Sequence, residues 1–236
     1  MTHPAARRAP LGWLRAAIAD RGLLRSWTVV ANDGIVATAG ILEGFAGAGA
    51  SDRALITAAT VATVAGMLAV GGAEWAGADA EREAQLTVAK EEAAQIARQP
   101  DVELAELVAY YEQKGLTPEL AHAVADQLMA HDAIDAQLES EHGIFDVMSR
   151  AETIRAGIGS AVAYLLGAAI PLIMTLAVPV AVESPVILGT VVLSLIVTSS
   201  VGAWSGQTPL LRSLVRSLTV GLATLGLSYL IGRLVF

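Results

Sequence analysis

Cysteine is absent from all 236 residues. Its absence removes disulfides, thiolate metal sites and a cysteine nucleophile together, and it leaves the redox compartment open. Charge is also scarce: 16% of the residues are charged, whereas 54% are hydrophobic. The chain is thus too apolar and too charge-poor for an ordinary soluble domain, and its length allows one or two domains. The formal net charge is −8. An acidic balance argues against nucleic acid and favours cations as partners.

The acid that is present is concentrated. Residues 78–152 hold seventeen Asp and Glu against five Lys and Arg, a net of −12, so the rest of the chain is net positive. Around this stretch lie five apolar segments, roughly 27–49, 54–78, 154–180, 184–205 and 211–235. Each has about 20 residues or more, enough to cross a ~30 Å hydrocarbon layer as a helix. The pattern predicts an all-α integral membrane protein with five transmembrane helices per protomer and an acidic helical domain between the second and third. Four regions follow: a basic N-terminal segment (1–26), spans one and two (27–78), the acidic domain (79–152) and spans three to five (153–236). In the first region Leu11, Trp13, Leu14, Ile18 and Leu23 suggest an amphipathic helix at the membrane surface. The apolar run from Trp27 is not a secretory signal, because the tail before it is long and the run contains Asp33 and Glu43.

Lys and Arg set the orientation. With the N-terminus in the cytoplasm, thirteen of the fifteen basic residues fall on the cytoplasmic side, and only Arg53 and Arg233 fall outside. The acidic domain is then cytoplasmic and Phe236 lies on the far side. Gly40, Gly44 and Ala48 place small residues four apart, which allows close helix approach. An odd number of spans in a small chain leaves no obvious internal pore. A homodimer is therefore expected, with the Gly-rich first span at its axis. Pro171 is expected to kink the third span.

The acidic domain reads as all helix. No Pro or Gly interrupts Ala78–Gln99, so the second span is expected to continue as one helix of ~65 Å from Ala54 to Arg98. Pro100 ends it. Asp101 is placed to cap a second helix, on which Leu104, Leu107, Val108 and Tyr111 form an apolar stripe. Thr117-Pro118-Glu119 is a helix start, with Leu120, Val124 and Leu128 facing in. A last short helix runs from about Asp132 to Gly143.

Several carboxylates sit where these helices can gather them: Glu91, Glu92, Glu103, Glu106, Glu139 and Glu141. Glu103 and Glu106 share a helix face, and Glu92 and Gln95 repeat that spacing. Clustered oxygen ligands suit a hard or borderline divalent cation; a solvated acidic face is the plainer reading. Glu119–His122 and Glu139–His142 are both Glu-x-x-His, the pair used by di-iron carboxylate bundles, which need four long facing helices. Within the apolar spans, Asp33, Glu43 and Glu74 mark a polar pathway, since a charge in the bilayer centre costs ~2.5–3.5 kcal/mol on translocon scales. Asp33 and Glu43, ten residues apart, are read as lying roughly on one helix face. Met67 adds a thioether to the pathway or simply packs.

Residues 31–36 (Ala-Asn-Asp-Gly-Ile-Val), the small-residue run 44–49, Gly72-Ala73-Glu74-Trp75, and Pro100-Asp101…Glu103…Glu106 together resemble the vacuolar iron transporter family. Residues 111–116 and Gly167…Ile170-Pro171-Leu172 resemble it too. The resemblance implies a homodimer of five-span protomers that moves Fe²⁺, and often Mn²⁺, out of the cytoplasm in exchange for protons, with no organic cofactor and no enzymatic activity. Its partners are the lipid bilayer, divalent metal and protons. It implies a membrane acid at Asp33 and metal-domain ligands at Glu92, Glu103, Glu106 and Glu141. Gln95 stands where a fifth Glu belongs, Gln137 and Leu138 replace a Met pair, and Ala62 and Val70 replace a second-span Glu and Met. Glu43 is the acid available to substitute. A membrane-tethered metal sensor or buffer is the alternative, and a bacterial-type inner membrane is expected rather than an organelle membrane.

Overall fold

The computed structural model describes residues 20–177 and 183–235. Among them are seven helices and no strand: α1 (Arg21–Gly47), α2 (Asp52–Arg98), α3 (Pro100–Gln113), α4 (Pro118–His142), α5 (Arg150–Ala177), α6 (Glu183–Gly206) and α7 (Leu210–Val235). Five of these (α1, α2, α5, α6 from Pro185, and α7) are long and apolar enough to cross a membrane. The chain divides into two compact units, residues 75–156 and the remainder. The expected amphipathic segment through Leu11, Trp13, Leu14 and Ile18, residues 178–180 of the expected third span, and Phe236 lie outside the described residues.

In the apolar unit α1 is the central element. It starts earlier than its apolar run suggests, because the Asp20 carboxylate accepts from the Gly22 and Leu23 amides and caps it. Arg21 to Ser26 therefore belong to this helix. It packs against α6 and α7, which also pack on each other. Ile35, Ala39 and Leu42 of α1 join Leu55, Ala59, Ile187, Val191, Leu195 and Leu225 in one buried cluster. Thr38 and Thr63, both buried, share a hydrogen bond at 3.3 Å across α1 and α2.

Small residues set the closest crossings. A side chain at Gly34 would collide with the Tyr164 carbonyl of α5, and one at Gly167 with the Ala31 carbonyl of α1. The same holds at Gly232 against the Gly44 carbonyl. Gly40 and Gly44, expected at a dimer axis, face Thr224 and Ser228 of α7 in the same chain. Pro171 is buried within an α5 that continues without interruption, and the Thr175 hydroxyl donates to its carbonyl at 3.1 Å.

In the acidic unit α3 packs on α4. Leu107 is fully buried, as the apolar stripe on α3 requires. Two details differ from the sequence reading. Asp101 lies in the first turn of α3; the cap position is Gln99, with Pro100 first in the helix. On α4 the buried positions are Ala121 and Ala125, whereas Leu120 is 53% exposed. Alanine allows α4 to come close, and the bulkier Leu120 falls outside the contact. Thr117 accepts from the Leu120 amide as an N-cap should. Asp132 has non-helical angles and kinks α4, and its carboxylate accepts from the Asp135 amide, restarting the helix. Gly143 closes α4 at φ 65°, a left-handed cap that glycine adopts without strain.

Candidate metal centre

Three helices of the acidic unit each deliver donors to one place. Glu92 comes from α2, Glu103 and Glu106 from the first turns of α3, and Glu141 and His142 from the last turn of α4. Donor atoms of Glu103, Glu106 and Glu141 lie within 4.8 Å of one another, and so do those of Glu92, Glu141 and His142. Glu141 belongs to both groups, so the five side chains make one continuous set.

The electrostatics are unfavourable without a cation. Glu92 is 1% exposed and Glu103 is 4% exposed. Neither carboxylate oxygen of Glu92 has a hydrogen-bond partner among the described residues. His142 Nε2 stands 3.5 Å from Glu92 Oε2, at ion-pair range. Burying a carboxylate with so few partners is expensive. Burial, with the Glu92 charge adding to it, raises the Glu103 pKa. Glu141 is pushed up to about 7, by burial first and then by its hydrogen bond with Glu106 and the charges of Glu92, Glu106 and Glu103. Gln137, fully buried, acts the other way: its Nε2 donates to the Glu103 backbone carbonyl at 2.7 Å and to Glu103 Oε2 at 3.1 Å. Ser140 Oγ in turn donates to Gln137 Oε1 at 3.2 Å. A divalent cation would relieve the repulsion that Gln137 only moderates. Four carboxylates and one imidazole are a donor set for a hard or borderline divalent metal.

Of the ligands expected from sequence, Glu92, Glu103, Glu106 and Glu141 come together. Gln95 is exposed on α2, about one turn beyond Glu92. The paired Glu-x-x-His reading fails on geometry. His142 joins the cluster without Glu139, while His122 pairs with Asp126 at 2.9 Å on its own helix. Sequence reasoning weighed His142 only with Glu139 and Gln137 only as a replaced Met; the structure sets the exposed His142 beside Glu141 as a donor and the buried Gln137 as the clamp on Glu103. The signal was their place on the last turns of α4: His142 adjoins Glu141, and Gln137 lies four residues, about one turn, before it.

In the apolar unit Asp33 is exposed on α1. Glu43 is 5% exposed and interacts within the fold. Asp33 and Glu43 therefore look in different directions, which corrects the expectation of one shared face; ten residues at 100° each already leave them about 80° apart. Glu74 is exposed and Met67 half-buried on α2. Asp33, Glu43 and Glu74 do not form a three-carboxylate cluster within one chain.

The model of the VIT family matches residues 24–233, nearly the whole chain. The chain belongs to the VIT family. This VIT-family protein is 29% identical to a vacuolar iron transporter of Acanthamoeba castellanii, over 86% of its own length and 74% of the relative's. It is 26% identical to vacuolar iron transporter 1 of Eucalyptus grandis, over 73% and 69%. It is 24% identical to vacuolar iron transporter 1 of Arabidopsis thaliana, over 90% and 86%. Family membership and five candidate spans make it an integral membrane protein. The relatives' names are vacuolar, which gives the expected bacterial-type inner membrane no support.

Proposed function

We propose that this VIT-family protein transports divalent metal, Fe²⁺ first and Mn²⁺ second, out of the cytoplasm in exchange for protons. The observation that carries this reading is the buried Glu92 carboxylate, without hydrogen-bond partners, inside a four-carboxylate cluster. Such a group is tolerated where a cation completes it. The acidic domain faces the cytoplasm, as the distribution of Lys and Arg supports, and gathers metal there.

Metal then enters a pathway through Asp33 and Glu43, with Glu74 and Met67 on the second span beside it. A carboxylate in an apolar layer is neutralised by a metal or by a proton. Exchange between the two couples the fluxes. Asp33 is exposed on the single chain, where a second copy can bring a matching carboxylate to it; this supports a homodimer.

A membrane-tethered buffer is the second reading, motivated by Ala62 and Val70 at positions where the family pattern has ligands. Reconstituted protein separates the two. Transport gives Fe²⁺ or Mn²⁺ flux into liposomes that responds to a pH gradient, whereas a buffer gives binding without flux. Replacing Glu103 and Glu106 together with Ala should lower metal affinity by at least about tenfold, because each lost charged ligand is worth about 1.5–3 kcal/mol. The helices should remain, since alanine is a strong helix former. Unchanged affinity by calorimetry would return these residues to the role of a solvated acidic face.

A further inference from the structure

The apolar unit contains a second polar site with the opposite charge. A cavity of about 110 Å³, room for several water-sized groups, lies among α1, α6 and α7. Arg25 enters from the first turns of α1, and Arg212 and Arg216 from the first turns of α7. Four residues apart, the two α7 arginines share a helix face. Thr28 and Asn32 of α1, Thr198 and Ser199 of α6, and Ser213 of α7 complete the polar lining, which contains no carboxylate.

Three observations mark this as a built site rather than a chance grouping of span-end arginines. First, three arginines, all exposed, line one cavity, and no carboxylate among the described residues pairs with Arg25, Arg212 or Arg216. Second, Ser199 is 2% exposed and its hydroxyl lacks a hydrogen-bond partner among the described residues, although it lines the cavity. Third, the walls are held in position. Thr198 Oγ1 donates to Asn32 Oδ1, tying α6 to α1. A side chain at Gly206 would come within 3.2 Å of Arg25 Cδ, and one at Gly202 within 3.1 Å of Thr28 Oγ1. Glycine on α6 thus leaves room for the Arg25 and Thr28 side chains at the cavity wall.

We propose that this cavity binds a phosphate-type oxyanion. Guanidinium forks match the tetrahedral oxygens of phosphate and form charge-assisted bonds to them. The unpartnered Ser199 hydroxyl can donate to the same group, while the Ser213 hydroxyl donates to the Ser199 carbonyl at 3.4 Å. The cavity sits at the ends of membrane spans, the level of lipid headgroups, where basic pockets between helices take anionic lipids. A phospholipid phosphate and free phosphate offer the same chemistry, and the test separates them.

The full chain in detergent is titrated with phosphatidylglycerol and, separately, with phosphatidylcholine, with bound lipid counted by native mass spectrometry. In parallel, thermal unfolding is followed in inorganic phosphate against chloride at equal ionic strength. Retention of phosphatidylglycerol over phosphatidylcholine identifies a lipid headgroup; stabilisation by phosphate over chloride identifies the free ion. Either result supports the site if R212Q/R216Q weakens it by about tenfold or more. R212K/R216K keeps both charges and the fold but loses the forks, and should fall between. Wild-type protein that prefers neither ligand over its control would overturn the proposal. So would an R212Q/R216Q or R212K/R216K variant that binds as the wild type does.

Discussion

Glu92 bears the largest electrostatic burden in the acidic unit. Both of its carboxylate oxygens are buried without a donor within hydrogen-bond distance among the described residues, and the like charges of Glu103 and Glu141 lie beside it, with His142 Nε2 at 3.5 Å. Replacing it with an apolar side chain of similar length should remove that burden. Glu92→Leu is expected to raise the thermal stability of the metal-free protein by about 1 kcal/mol, as isosteric replacement of buried ionic groups often does. The same change should weaken metal binding by at least about tenfold. Calorimetry with and without Mn²⁺ reads both effects. A variant that is less stable without metal and binds metal normally would show that Glu92 is a structural residue.

Glu141 gives the cluster its pH dependence. Its pKa rises from the ordinary 4.5 to about 7. Between those two values the folded chain holds a proton that the unfolded chain has lost, so stability falls as pH rises from 4.5 to 7. Glu103, also raised, adds to the same slope. Metal competes with those protons. Metal affinity should therefore increase with pH up to about 7, and the stability lost by the metal-free protein should be regained on adding Mn²⁺. Melting curves at pH 5, 6 and 7 (about one unit apart across this window), with and without Mn²⁺, check both signs.

At the scale of elements, what could be read from sequence depended on whether a signal was local. The five apolar runs stand out by length alone, and all five recur as candidate spans. Thr117-Pro118 and Gly143 bound α4 because caps and left-handed turns need particular residues. Neighbours in space were harder to read. The inward face of α4 carries Ala121 and Ala125, since closeness to α3 selects small side chains over the larger Leu120. Likewise the Gly40–Gly44 spacing did not say which helix lies beside it; within the chain Thr224, Ser228 and Gly232 of α7 do. This assigns a cost to filling those crossings. Gly232→Ala sets a methyl group against the Gly44 carbonyl and should destabilise the apolar unit by about 1–3 kcal/mol, the usual range for overpacking. Gly226→Ala, with open space around it, should be close to neutral. Equal melting temperatures for the two variants would contradict the α1–α7 crossing described here.

At the scale of the whole molecule, the acids proposed to bind metal divide into two kinds. Those of residues 75–156 meet within one chain, which is why four ligands chosen by spacing and resemblance proved to be neighbours. Asp33, Glu43 and Glu74 do not meet within a chain, and nothing in the order of residues reveals what a second copy would add. The Arg25–Arg212–Arg216 cavity was equally hidden, because its residues lie on three helices separated by most of the sequence. Under the proposed function, transport would depend on Asp33 and Glu43 of the first span, whereas metal binding would depend on the acidic unit.

The most direct test is Mn²⁺ flux into liposomes, with internal pH read by a trapped dye, for wild-type protein and Asp33→Asn side by side. The substitution keeps size and polarity but removes the charge that would hold either metal or proton. Flux and its coupled pH change should fall to background in Asp33→Asn, while calorimetry still finds metal bound at the Glu92–Glu103–Glu106–Glu141 cluster. Wild-type flux in Asp33→Asn, with its pH change intact, would contradict the proposed exchange of metal and protons through this residue.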